Sequence, residues 1–212
     1  VRFVFDESEL TTFDIESVIL ESDDAWPWRT LGAADLWEYT RGDSSVIIAV
    51  IDNMFESGHP EIEGKQTGNW DVAGFDDEVS VAQGFWMDDE SASHGTHVAS
   101  LAAGTFNNGI GFGGLAPDAG LMLIQLMDEE AVMSTSRIVD AMFYAMNQGA
   151  DIINLSLGSQ FAHAEWLAAL SLEEQAIFAE EYYVQEGKMW DELFHLFQDE
   201  GVIVVQAAGN DG

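Results

Sequence analysis

Three polar side chains in this sequence stand where they could cooperate in acyl-transfer chemistry. Asp52 ends a hydrophobic β-rich run, and a carboxylate there could hold an imidazole in one tautomer and stabilise its charged form. His94 opens an apolar helical pattern and could act as a general base. Asn210 follows a second β-rich run, and its amide could donate to a developing oxyanion. Taken alone, Asp52 or Asn210 would be explained by a turn.

The sequence disfavours two other kinds of site, a histidine metal site and a dinucleotide-binding site. His94 and His97 are spaced for a metal, but the chain has no His-Glu-x-x-His motif, and no third ligand is evident among its remaining histidines, His59, His163 and His195. The glycines of segment 109–114 fit G-x-G-x-x-G. A dinucleotide site needs a strand before that motif and a helix after it, and here the order is reversed. The absence of cysteine excludes disulfides and thiolate chemistry.

Alternating strand-like and helix-like segments predict how these residues are positioned. Strands are predicted at 46–51, 121–127, 152–157 and 202–207, and helices at 96–104, 134–147 and 164–199, the last as two helices broken near 185–187. The amphipathic stretch 164–199 is expected to pack onto the sheet, although partner binding is an alternative. This alternation predicts an α/β fold, a three-layer parallel sheet with helices on both faces.

The charge balance limits the partners. The 212 residues contain 39 Asp and Glu against 6 Lys and Arg, for a net charge of −33. Such a surface repels phosphate and anionic lipid, so neither nucleic acid nor membrane is an expected partner. High salt, which shortens the Debye length to about 3 Å at 1 M, would screen this repulsion. Acidic pH is the less favoured alternative, and a solvated surface kept for solubility is another.

Targeting segments are not evident. No apolar run reaches the roughly 18 residues needed to cross a bilayer. The chain begins with Val1 and shows no basic-then-apolar signal. A leader could therefore have been removed, or the chain could be an excerpt.

The motifs, taken in order, resemble those of the subtilisin-like serine proteases, or subtilases. They are AVID at 49–52, SHGTHVAS at 93–100 and AAGN at 207–210, in a family whose chain order is Asp, His, Ser. The resemblance extends to WEYTRG at 37–42, HPE at 59–61, NNGIG at 107–111 leading to LAP at 115–117, and DIINLSLG at 151–158. It covers roughly residues 26–212.

This resemblance implies a secreted, extracellular serine endopeptidase that acts on peptides or proteins. Asp52 would orient the base His94, Asn210 would donate to the oxyanion, and His97 would be a buried structural histidine. Residues 26–212 would form the N-terminal portion of the catalytic domain. Residues 1–25 would be a propeptide tail or an N-terminal extension, and the enzyme's own propeptide is a possible partner.

The resemblance also implies a structural calcium site and a substrate cleft. Calcium would be held by the side chains of Glu61 and Asn108 and the carbonyls of Phe106, Ile110 and Phe112, the alternative being a loop satisfied by its own backbone. An extended substrate would pair with Ala131, Val132 and Met133, opposite a wall formed by Ser156, Leu157 and Gly158. The acids at 128–130 would favour Lys or Arg upstream of the cut, unless they simply belong to the acidic surface.

Several features depart from the family pattern. Asn53 and Met54 replace the usual Ser or Thr and Gly; Asn53 can still donate to Asp52, but Met54 adds bulk. The connection at 159–200 is longer than usual. No Gly-Thr-Ser segment occurs, and the nucleophile would follow the oxyanion Asn by about 66 residues, near position 276. Two alternatives follow: a non-catalytic peptide-binding or scaffolding protein on a decayed subtilase fold, or an acidic structural protein with vestigial motifs.

Overall fold

Five parallel strands form one sheet at the centre of the protein. The computed structural model describes residues 25–81, 89–106, 108, 109, 111, 113–127, 133–158, 167 and 169–209. The strands are β1 (Ile47–Asp52), β2 (Gln66–Asp71), β3 (Gly120–Gln125), β4 (Ile152–Leu155) and β5 (Ile203–Gln206). Their order in the sheet is β2-β3-β1-β4-β5.

Among the described residues the helices are α1 (Trp26–Leu31), α2 (Ala33–Trp37), α3 (Asp89–Ala103), α4 (Thr135–Asn147) and α5 (Leu172–Asp199). One face of the sheet packs against α4 and α5, through residues that include Ala141, Met142 and Phe197. The opposite face packs against Ala99 and Ala103 of α3. The predicted three-layer α/β fold is therefore confirmed.

Strand β1 occupies the middle of the sheet and ends at Asp52, the first candidate site residue. It pairs in parallel with β3 on one side and with β4 on the other. Its last residue, Asp52, is in register with Gln125 at the end of β3. Because parallel strands end at a common edge, side chains that follow β1, β3 and β4 lie along the same edge of the sheet.

Helix α5 is one continuous helix of 28 residues, so the predicted break near 185–187 is wrong. Ser171 and Glu174 form a capping box at its start, and a single Gly187 costs a helix only about 1 kcal/mol. The residues of α5 that pack against the sheet are Trp190, Leu193, Phe194 and Phe197. Packing onto the sheet, the favoured prediction for this stretch, therefore holds for the C-terminal third.

The first half of α5 extends past the sheet. At 1.5 Å per residue the helix is about 42 Å long, whereas the four residues of β5 span about 13 Å. Leu172 at the start of the helix is 84% exposed. No helix among the described residues is long and apolar enough to span a membrane.

Strand β2 was not predicted from the sequence. Its residues, QTGNWD, show no alternation of apolar and polar side chains. The strand forms at the edge of the sheet by pairing with β3, with a register shift between Gln66 and Gly68. Half-burial at an edge removes the hydrophobic signal on which strand prediction depends.

Candidate active site

Asp52 and His94 are in direct contact, as the sequence predicted. Asp52 lies at the carboxyl end of β1 and is 1% exposed, while His94 lies in α3. The imidazole Nδ1 is 2.8 Å from Oδ1 of Asp52, across 42 positions of sequence. Because an ionised carboxylate only accepts hydrogen bonds, this contact favours the tautomer protonated at Nδ1 and leaves Nε2 able to accept a proton.

Within the described part of the chain, the carboxylate of Asp52 accepts hydrogen bonds at one oxygen and none at the other. The backbone N–H of Asn53 donates to Oδ1 at 2.8 Å. Every residue except proline carries this donor, so donation from the Asn53 side chain stays a prediction. Oδ2 is buried and accepts no hydrogen bond from the described part of the chain. Burial raises the pKa of Asp52 above its ordinary value, against the lowering effect of the hydrogen bonds from His94 and Asn53.

The imidazole of His94 is open to a reacting group. Its side chain is 45% exposed although its Asp52 partner is buried. A partly exposed imidazole with one nitrogen fixed by a carboxylate can take a proton from a nucleophile and return it to a leaving group.

Helix α3 fits closely against the turn after β1. A Cβ added to Gly95 would lie 2.5 Å from the carbonyl oxygen of Met54 and 3.0 Å from Cβ of Asp52. Met54 itself is fully buried, so the extra bulk at this position is accommodated in the interior. The glycine after His94 is therefore needed for close approach of helix and strand.

His97 is exposed, so its predicted burial is wrong. Ala99 and Ala103 of α3 face the sheet. A residue two positions before Ala99 is turned by about 200° and points away from the core. His97 lines a surface cavity of about 360 Å³ together with Trp28, Glu56, His59, Glu61, Ser93, Thr96, Ser100, Leu101, Gly111 and Gly113.

Glu61 is the strongest candidate among the predicted calcium ligands. It is 6% exposed, and neither carboxylate oxygen has a hydrogen-bond partner of normal geometry in the described residues. Burial raises its pKa, while nearby His59 and the Asn108 amide lower it. Because burying an ionised carboxylate costs free energy unless an opposite charge or hydrogen bonds compensate it, a cation beside Glu61 would stabilise the ionised form.

The other predicted calcium ligands are only partly described. Asn108 donates from Nδ2 to the carbonyl of Pro60 at 3.1 Å, which places its side chain beside Glu61. Phe106 packs edge-on against Trp37, 5.3 Å between ring centroids. Ile110 and Phe112 lie outside the described residues. No three His, Cys, Asp or Glu side chains in the described chain are arranged for a metal, so amide and carbonyl oxygens would supply most ligands.

The predicted substrate wall follows β4 at the same edge of the sheet as Asp52. Asn154 donates from Nδ2 to Oγ of Ser156 at 3.0 Å. Leu157 packs against the core on the α4 and α5 side, whereas Gly158 is exposed. On the opposing segment, Met133 is 37% exposed. Ala131, Val132, Asn210 and the acids 128–130 lie outside the described residues.

Two polar contacts at the site were missed by sequence reasoning. The side-chain Oδ1 of Asn53 accepts hydrogen bonds from the backbone N–H groups of Met54 at 2.6 Å and Gly95 at 3.3 Å. Thr96 accepts from the backbone N–H of Glu56 at 2.9 Å. Both tie α3 to the turn after β1. The glycine at position 95 was the available signal, because glycine often marks a close approach of backbone.

The chain is similar to known proteins in sequence and in fold. Thermitase of Thermoactinomyces vulgaris is 30% identical over 184 residues, 87% of this chain and 54% of thermitase. Halolysin of Haloferax mediterranei is 40% identical over 130 residues, 61% of this chain and 24% of halolysin. The solved structure of the prenylagaramide maturation protease PagA aligns with a TM-score of 0.53 at 27% identity, covering 85% of this chain and 51% of PagA.

This chain thus spans between about a quarter and just over half of the length of these relatives. Residues 43–212 match the model of the subtilase family of peptidases. With four fifths of the chain matched by that model, the protein belongs to the subtilase family.

Proposed function

We propose that the protein is a secreted serine endopeptidase whose base and orienting acid are His94 and Asp52. The observation that carries this proposal is the 2.8 Å contact between the exposed His94 imidazole and the buried Asp52 carboxylate. The nucleophilic serine would come from sequence beyond Gly212, near position 276. Secretion is proposed from the family resemblance alone.

In the proposed reaction, Nε2 of His94 removes the proton from the serine hydroxyl as its oxygen attacks the peptide carbonyl. Asp52 keeps the proton on Nδ1 and stabilises the imidazolium that forms. The side-chain amide of Asn210 donates to the oxyanion of the tetrahedral intermediate. The imidazolium then protonates the leaving amine, and water hydrolyses the acyl-enzyme by the same steps.

The substrate is proposed to be an extended polypeptide between segment 131–133 and the wall at 156–158. Its backbone would pair with the first segment by strand addition. The acids at 128–130 would favour Lys or Arg upstream of the cleaved bond. The enzyme's own propeptide, if present, would occupy the same cleft.

A structural calcium ion is also proposed, bound by Glu61 and Asn108 with carbonyls of Phe106, Ile110 and Phe112. Support comes from the buried carboxylate of Glu61, whose oxygens have no hydrogen-bond partner of normal geometry among the described residues, and from the position of Asn108 beside it. Calcium prefers such hard oxygen ligands at about 2.3–2.6 Å. The ion would neutralise a buried charge and fix the loop that follows α3.

The decisive experiment is expression of the complete reading frame, followed by digestion of an unfolded protein and labelling with a serine-directed phosphonofluoridate. We expect cleavage and labelling at one serine, both abolished by His94→Ala. A protein that binds peptides in the cleft but neither cleaves nor labels would overturn the proposal in favour of a non-catalytic peptide-binding protein.

A further inference from the structure

Asn53 links the two elements that carry the proposed acid and base. It follows Asp52 at the end of β1 and is 7% exposed. Its Oδ1 accepts hydrogen bonds from the backbone N–H groups of Met54 at 2.6 Å and Gly95 at 3.3 Å. Its own backbone N–H donates to Oδ1 of Asp52 at 2.8 Å. One residue therefore contacts the acid and also the backbone next to His94.

The hydrogen bond from Gly95 to Asn53 restricts the position of the His94 imidazole. The N–H of Gly95 belongs to the rigid, planar peptide unit that also contains the Cα of His94. A hydrogen bond that fixes this N–H therefore also fixes the Cα that carries the imidazole. Close packing of Gly95 against the carbonyl of Met54 limits movement of α3 toward β1. The Asn53 oxygen limits movement in the other direction.

We propose that Asn53 is a positioning residue for His94, acting through the hydrogen bond to Gly95 and without touching the substrate. The inference rests on the proposed protease function. The Ser or Thr typical of the family at this position carries its oxygen one bond closer to the backbone. In this chain the longer side chain of Asn53 makes the hydrogen bond to Gly95.

The test compares Asn53→Ala with Asn53→Asp in the complete protein. The alanine variant removes the acceptor, whereas the aspartate variant keeps an oxygen in the same place. Gln66→Ala is the matched control, because Gln66 also bridges two backbone groups, Gly64 and Ser57, but lies on β2. The measurements are kcat and KM on one peptide, and the far-downfield proton NMR signal of the Nδ1–H of His94.

We expect Asn53→Ala to lower kcat by about 10²-fold with KM little changed, as is typical of misplaced reacting groups. Its Nδ1–H signal should broaden or vanish, while Asn53→Asp restores the signal and most of kcat. Gln66→Ala should retain both. If Asn53→Ala does not fold, Asn53→Leu, which keeps the shape of the side chain but has no acceptor, replaces it with the same expectation.

Two results would overturn the inference. One is a kcat for Asn53→Ala that falls only with the folded fraction while the signal is unchanged. The other is an equal loss in Asn53→Ala and Asn53→Asp. If no form of the protein cleaves peptides but the NMR signal follows the expected pattern, the proposed function fails and the positioning of His94 by Asn53 stands.

Discussion

Nδ1 of His94 lies 2.8 Å from Oδ1 of Asp52, while Oδ2 of the same carboxylate is buried without a hydrogen-bond partner in the described residues. The acid is thus placed to orient the imidazole at a cost in folding free energy. Burial raises the pKa of Asp52, which means that the folded protein holds the ionised form against its preference. Activity and stability therefore make opposite demands on this residue.

Asp52→Asn should separate these two demands. The neutral amide no longer places a charge in the interior, so the melting temperature at neutral pH should stay the same or rise. The amide donates where the carboxylate accepted, so the imidazole adopts the wrong tautomer. The same change in a serine protease costs about 10⁴ in kcat, and we expect a comparable loss in the complete protein. A large drop in melting temperature, or activity near that of the parent, would contradict the assignment.

Gly95→Ala tests the close approach of α3 to the turn after β1. The added Cβ would lie 2.5 Å from the carbonyl of Met54, and such overpacking costs about 1–3 kcal/mol. Gly187→Ala is the matched control, because beyond its chain neighbours and the backbone of its own helix no heavy atom of the described residues lies within 4 Å of the added Cβ. In the interior of α5 it should stabilise by about 1 kcal/mol. Denaturant unfolding measures the change in the free energy of unfolding for both variants. No change for Gly95→Ala would show that α3 can shift to accommodate the added Cβ.

The sequence predicted those parts of the molecule that depend on local pattern or on motif order. Strands β1 and β3 coincide with aliphatic runs in the sequence, and the order of the motifs predicts the contact between Asp52 and His94. Strand β2 could not be predicted, because an edge strand with a polar sequence is specified by its neighbour. The bridge from Asn53 to Gly95 depends on the distance between a helix and a turn, which no local pattern encodes.

Two wrong predictions have a common origin. His97 was expected to be buried and α5 to break near 185–187, yet His97 is exposed and α5 is continuous. Both expectations treated one local feature as decisive, a family motif in the first case and a glycine in the second. The helical period turns His97 outward, and the capped, glutamate-rich sequence of α5 tolerates one glycine.

Helix α5 should contribute to stability unevenly along its length. Phe197 is fully buried and packs against Phe143, 5.4 Å between ring centroids, so Phe197→Ala should cost about 3–5 kcal/mol. Leu172 is 84% exposed, and Leu172→Ala should change the free energy of unfolding by less than about 0.5 kcal/mol. Equal effects in urea unfolding would mean that the first half of the helix is packed.

Glu61→Gln tests the proposed calcium site. In chelator the variant should be at least as stable as the parent at neutral pH, because it buries no charge. With calcium the parent should gain up to about 2.7 kcal/mol at 100 times the dissociation constant, and the variant should gain much less. Glu63→Gln, two positions along on the surface, is the control and should behave as the parent. If calcium raises the melting temperature of all three proteins equally, the proposal that Glu61 binds calcium is wrong.

Salt and pH should act on stability through two separable sets of carboxylates. With a net charge of −33, the folded chain repels itself in dilute buffer, and molar salt should raise the melting temperature at pH 7 by screening. Asp52 and Glu61 have raised pKa values because they are buried. The folded state therefore binds protons more tightly than the unfolded one, and stability should fall as the pH rises above their ordinary values of 3.8 and 4.5.

In molar salt and chelator, the screened surface should contribute little to the pH dependence. The stability gained as the pH falls from 7 towards the ordinary pKa values of these two buried acids, 4.5 and 3.8, should then come mainly from them. It should largely disappear in the Asp52→Asn, Glu61→Gln double variant. Asp43 and Glu174 have lowered pKa values, so their contributions are lost only at lower pH. Thermal unfolding of both proteins from pH 7 down to pH 4.5, in about 10 mM and about 1 M salt, measures each part. An unchanged acid gain in the double variant would show that the surface carboxylates, and not Asp52 and Glu61, carry the pH dependence.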